Sequence, residues 1–130
     1  MRSPNIVLPA KNIGISLQGR AARVERTLIV ARMNPDSAES VAGIFGESDA
    51  GELPATVGVT ARSLFSYQGL YFHLIEAERP LAEGLAEARK SPLWTDINTK
   101  LDEFITPYDP RTWRGPADAM AHRFYSWRAV

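Results

Sequence analysis

The chain of 130 residues has no cysteine. That excludes disulfides, thiolate nucleophiles and thiolate metal sites together. Its two histidines, His73 and His122, are too few for a histidine-rich metal centre. Neither sign of charge is in excess: 15 basic and 15 acidic side chains leave a formal net charge of zero. There is thus no electrostatic case for nucleic acid or an anionic membrane as partner. No apolar run is long enough to span a bilayer, and Ile6-Val7-Leu8, cut short by Pro9-Ala10-Lys11-Asn12, is too brief for a signal-peptide core. Internal repeats, a glycine-rich phosphate loop, a GxSxG elbow, an HExxH pair and acidic pairs at metal spacing are missing as well. The expectation left standing is a cytoplasmic, cofactor-poor protein.

What is present is an ordinary globular composition, 45% apolar and 23% charged, in a length that suits one domain with a real core. Met1 to Glu25 stands apart, net positive and interrupted by proline, and reads as a mobile N-terminal extension (1–25) ahead of a domain at 26–130. Arg26 to Met33 is a near-continuous apolar run and reads as a buried strand. Asn34-Pro35 then caps a helix with Ala38, Val41, Ile44 and Phe45 inward. That helix is expected to end near Gly46, leaving Glu47 to Glu52 as a polar turn.

The next stretch, Val57 to Glu76, carries the strongest local signal. Two runs rich in β-branched and aromatic residues flank Gln68-Gly69, where glycine suits the positive φ of a tight turn. With Tyr67 and Leu70 closing the turn, Phe65 faces Phe72, Leu64 faces His73 and Arg62 faces Ile75. Period-two alternation then puts Arg62, Leu64, Tyr71, His73 and Ile75 on one face. Leu81 to Lys90 reads as a short helix, and Ser91-Pro92 starts another whose stripe of Trp94, Ile97, Leu101, Phe104 and Ile105 reads as core. A proline-punctuated loop over 106–116 carries Tyr108, Trp113, Arg111 and Arg114. Met120 to Arg128 alternates like a last strand.

Strand, helix, two strands, helix pair and strand make the split βαβ pattern of an α+β, ferredoxin-like βαββαβ fold: one antiparallel sheet with helices on one face, of dimeric α/β barrel type. Apolar residues on both faces of the hairpin call for a second cover, which an isologous homodimer supplies. Chemically, the residues suggest an apolar pocket with few polar groups: Arg62, His73, Tyr71, Asp49 and the 106–116 loop. An imidazole there moves a proton and a guanidinium steadies an enolate or alkoxide oxygen. Burial and the adjacent cation both disfavour charge on His73. A lone strand histidine is as readily a core residue, so the residues alone leave its role open.

Several motifs in one order carry a resemblance: Thr27 to Met33, Glu52-Leu53-Pro54, Leu64 to Leu74, Ile105 to Pro110, Thr112-Trp113-Arg114 and Phe124 to Trp127. From Arg26 onward the chain resembles the tetracenomycin-type polyketide cyclases, most of all their spore-pigment and pentangular-polyphenol branch. The resemblance implies a cofactor-free homodimer of bacterial type II aromatic polyketide synthesis. Its substrate would be a partly cyclised poly-β-ketone, closed by a late intramolecular aldol condensation and loss of water, with the synthase complex a further partner.

Carried over by position, the family's pocket arginine falls on Arg62, its strand histidine on His73 and its loop aspartate on Asp49, as the catalytic set. Ser48, Tyr71, Leu64, Trp113 and Tyr108 are the expected substrate-binding residues. The family's first member has a histidine directly before the aspartate; this chain has Ser48 there, which removes one proton shuttle. Val24 stands where the family's initiator methionine falls, so residues 1–23 are expected to be an upstream over-extension. Two rival functions are an anthrone-type monooxygenase without cofactor and a non-catalytic subunit that shapes the synthase product.

Overall fold

The computed structural model describes residues 24–130, and the expectations for residues 1–23 lie outside the described residues. Four strands form one antiparallel sheet in the order β2-β3-β1-β4. β1 (Glu25–Met33) lies between β3 (Leu70–Ala77) and the short β4 (Ile105–Pro107), and β2 (Val59–Tyr67) is the outer strand beyond β3. The β2–β3 hairpin has the expected register: Tyr67 pairs with Leu70, Phe65 with Phe72, Leu64 with His73 and Arg62 with Ile75. Its turn takes Gln68 and Gly69 through φ of 48° and 82°. Positive φ at both central residues matches the twist of the flanking strands.

The helices pack on one face of the sheet. α1 (Ala38–Asp49) follows a 3-10 turn at Pro35–Ser37, where the Asn34 side chain accepts the Asp36 N–H at 2.8 Å. α1 continues past Gly46 to Asp49, contrary to expectation. An interior glycine costs only about 1 kcal/mol, and burial of Val41 and Phe45 against the sheet outweighs it. Ser48 and Asp49 thus sit on the last helical turn.

The short α2 (Leu53–Val57), between the expected polar turn and the hairpin and not expected as a helix, buries Leu53 and Val57. α3 (Leu81–Ala88) crosses it so closely that a Cβ at Gly84 would run into the Val57 carbonyl oxygen. Arg79 donates to the Thr56 and Val57 carbonyl oxygens at the end of α2. α4 (Pro92–Leu101) starts where expected, with the Ser91 hydroxyl accepting the Leu93 N–H at 3.1 Å. The core lies between these helices and the sheet residues Ala31, Met33, Tyr71 and Ile75. On the opposite face Phe72 and Leu74 are half-buried and Phe65 is 53% exposed.

The C-terminus corrects the strand assignment. The fourth strand is Ile105–Pro107, which the sequence reading split between the end of a helical stripe and the start of a loop. Met120 makes a single bridge with Ile29, and the Ala121 N–H donates to the Leu28 carbonyl oxygen at 2.7 Å. Residues 121–130 then have no regular structure, with Phe124, Tyr125 and Trp127 91%, 75% and 75% exposed. The reason is a missing partner row: a strand needs a neighbour for its N–H and C=O groups, and the free edge of β1 is already taken by β4 and Met120.

Candidate active site

Between the covered sheet face and the helices lies a cavity of about 440 Å³, a size that suits a small-molecule ligand. Ile29, Tyr71 and His73 form its floor, while Phe45, Trp94 and Ile97 of the helices form its sides. Trp113, Pro116 and Met120, from the chain after β4, complete the wall. The lining is mainly apolar, and Arg62, His73, Tyr71 and Ser48 are among its polar members.

Arg62 is the hub of the polar side. Its Nε and Nη2 donate to the two carboxylate oxygens of Asp49 at 2.9 and 2.7 Å. Its Nη1 donates to His73 Nε2 at 2.9 Å, and the guanidinium carbon lies 4.7 Å from the centroid of the Phe45 ring. The bidentate fork fixes the guanidinium plane. A guanidinium has five N–H bonds; three are committed to Asp49 and His73, which leaves two for a ligand oxygen. The Arg62 side chain is 14% exposed and that of Asp49 38%, so the carboxylate holds the arginine from the solvent side.

His73 is buried at 6% exposure, edge-on to Phe45 with ring centroids 5.0 Å apart. Because Arg62 can only donate, Nε2 is the bare nitrogen and the ring proton sits on Nδ1. Burial, and then the Arg62 cation, lower the His73 pKa to about 3, with Asp49 opposing weakly. The imidazole is therefore neutral at physiological pH. For the Tyr71 phenol, burial pushes the pKa well up, and Arg62 pulls it part of the way back. Among the described residues no group of three or more His, Cys, Asp or Glu side chains is placed to hold a metal ion.

Of the residues singled out from the sequence, Arg62, His73, Tyr71, Ser48 and Trp113 line the cavity. Asp49 stands behind Arg62 and reaches the cavity only through it. Leu64 packs against the core beside His73 without lining the cavity. Tyr108 lies outside it: its ring stacks 4.3 Å from the Arg32 guanidinium, and its carbonyl oxygen accepts from Arg32 Nε at 2.9 Å. The sequence reading missed the α4 wall, because Trp94, Ile97 and Leu101 read as core. Asn98, four residues after Trp94, was the available sign that this helical face meets a ligand space.

Comparison with known proteins identifies the family. A family model described as polyketide synthesis cyclase matches residues 25–128. An uncharacterised protein of Streptomyces coelicolor is 47% identical over 105 residues, spanning 80% of this chain and 95% of that one. The polyketide synthase CurG of Streptomyces cyaneus is 45% identical over 104 residues, 80% of this chain and 97% of that one. The solved structure of tetracenomycin F2 cyclase from Streptomyces glaucescens, described as a type II polyketide cyclase, matches with a TM-score of 0.76 at 43% identity, covering 82% of this chain and 99% of that one. With nearly the whole described chain matched in sequence and in fold, the protein belongs to the polyketide synthesis cyclase family.

Proposed function

We propose that this cyclase closes a ring of a partly cyclised aromatic poly-β-ketone by intramolecular aldol condensation and dehydration, without metal or organic cofactor. The observation that carries the reading is Arg62: clamped by Asp49, on the wall of an apolar cavity, with two N–H bonds uncommitted. Those donors suit a carbonyl oxygen that gains negative charge as an enolate forms.

A carbon between two carbonyls is acidic enough for a weak base. His73 Nε2 takes its proton once a substrate oxygen replaces Nε2 as the acceptor of Arg62 Nη1, and the electron pair moves onto the oxygen that Arg62 holds. The carbon then bonds to a ketone carbon of the same molecule, and His73 returns the proton to the new alkoxide oxygen. Loss of that hydroxyl with a hydrogen from the adjacent carbon, as water, makes the ring aromatic. The apolar walls hold one folding of the chain, so that proximity selects which carbons meet.

The proposed working form is a homodimer in the cytoplasm, supplied by a type II synthase of a spore-pigment or antibiotic pathway. Phe65, Phe72 and Leu74 on the open sheet face, and the aromatic residues of 121–130, offer apolar surface for a second copy.

The test is product analysis after incubating purified protein with an isolated pathway intermediate under anaerobic conditions. A ring-closed, dehydrated product is expected, and Arg62→Ala should lower kcat/KM by about 10²–10³. An absolute need for oxygen would favour an anthrone-type monooxygenase. An intermediate left unchanged by the protein alone, yet altered when the synthase is present, would favour a product-shaping subunit.

A further inference from the structure

We propose that the Tyr71 hydroxyl is the cavity's second oxygen-binding donor, taking a ligand oxygen other than the one at Arg62 and so fixing how the polyketide lies along the cavity. The proposal rests on the cyclase reading and adds to it a residue that sets regiochemistry.

Tyr71 lies two residues before His73 on β3 and faces the same side of the sheet. Along a strand that is a step of about 7 Å. The residue is 3% exposed and lines the cavity. Among the described residues its hydroxyl has no hydrogen-bond partner. A buried hydroxyl without an acceptor destabilises a fold, and phenylalanine would fill the same core volume without that cost. The ring has an ordinary packing role: it pairs with the small Ala31 across β1 and meets His73 edge-on at 6.1 Å between centroids. Only the hydroxyl lacks a purpose inside the protein.

Two further points give it one. The phenol keeps its proton at physiological pH, since burial raises its pKa despite Arg62, so it enters the cavity as a donor. A poly-β-ketone carries oxygen on alternate carbons and therefore meets donors at several places. One donor pins a point and leaves the molecule free to slide or turn end for end. Two donors on one sheet face, Arg62 of β2 and Tyr71 of β3, pin a direction, and direction decides which enolate meets which ketone.

Tyr71→Phe removes the oxygen alone, and the experiment compares it with the wild type in three readouts. With 1,8-dihydroxyanthraquinone as probe, the variant should bind about tenfold more weakly, the loss of one good hydrogen bond. Affinity for naphthalene, which has no oxygen, should be the same for both proteins. The Tm of the free protein should stay level or rise, because an unpaired buried hydroxyl is gone. With an isolated pathway intermediate, the variant should give more misclosed product than wild type.

Equal quinone affinities, a wild type that does not bind the quinone, or a lowered Tm of the free variant would each overturn the proposal. The cyclase reading fails separately: ring closure absent from both proteins, with quinone binding still dependent on the hydroxyl, would remove the reaction and keep the donor. Normal ring closure with equal quinone affinities would do the reverse.

Discussion

The two faces of the sheet are built from alternate residues of the same strands, yet they differ in an unusual sense. On the covered face Tyr71, His73 and Ile75 are 3%, 6% and 5% exposed, and Arg62 joins them from β2. On the open face Phe72 and Leu74 are half-buried and Phe65 is 53% exposed. Three polar groups thus point toward the helices, while the less covered side carries aromatic and aliphatic residues. An ordinary two-layer fold reverses that order. Polar residues turned inward line the cavity, and apolar residues turned outward suit the second copy proposed above. Each strand serves both by period two.

Substitutions on adjacent residues of β3 break the comparison most sharply. Ile75→Asp puts a carboxylate into the core and should cost more than about 4 kcal/mol, read as loss of the folded baseline in urea titration. Leu74→Asp, one residue away, should leave a folded protein that sediments as a monomer. If both variants unfolded alike, the open face would belong to the core of one chain.

Next in size is a stability effect on the covered face alone. The His73 pKa is about 3 folded against 6.5 for an unperturbed histidine, so between these values the unfolded chain binds more protons. The stability that comes from burying a neutral imidazole is complete above pH 6.5 and is lost as pH falls toward 3. Urea midpoints measured near pH 7 and near pH 4.5 should differ less in His73→Asn than in wild type. An equal difference in both proteins would place the acid sensitivity elsewhere.

The smallest effect tests the clamp. Asp49→Asn keeps one acceptor but loses the charge, and should lower kcat/KM about tenfold, less than Arg62→Ala. A loss larger than that of Arg62→Ala would mean that the carboxylate acts on the substrate directly.

The hairpin was legible in the sequence because its information is local: a two-residue turn and strict alternation fix every pair from Arg62–Ile75 to Tyr67–Leu70. The full length of α1 was not, since Gly46 argues for an end that only the packing of Phe45 overrules. β4 has three residues, one a proline, which is too short for any period to show. The alternation of Met120 to Arg128 is real in the sequence, but a pattern of side chains does not supply the neighbouring strand it needs. For the site, the register of the hairpin brought Arg62 and His73 together. Asp49 was among the polar groups named from the residues, but its clamp on Arg62 was not legible, because the two lie 13 residues apart on different elements. The pocket was expected but its α4 wall was hidden: a helical stripe looks the same whether it touches other side chains or borders empty space.

The wall after β4 has a consequence for how the cavity opens. From Tyr108 to Met120 the chain gives Trp113, Pro116 and Ala119 to the cavity. Its ion pairs, Asp109 with Arg111 and Asp118 with Arg114, join near neighbours and hold its shape without fastening it to the sheet. The ties to β1 stand at its two ends, Arg32 to Tyr108 and Leu28 to Ala121. Releasing the Arg32 end costs one exposed hydrogen bond and a cation–π contact, whereas parting the helices would open the core. The Arg32–Tyr108 end is therefore the part of this wall that opens at least cost, and a global stability measurement would not register its opening.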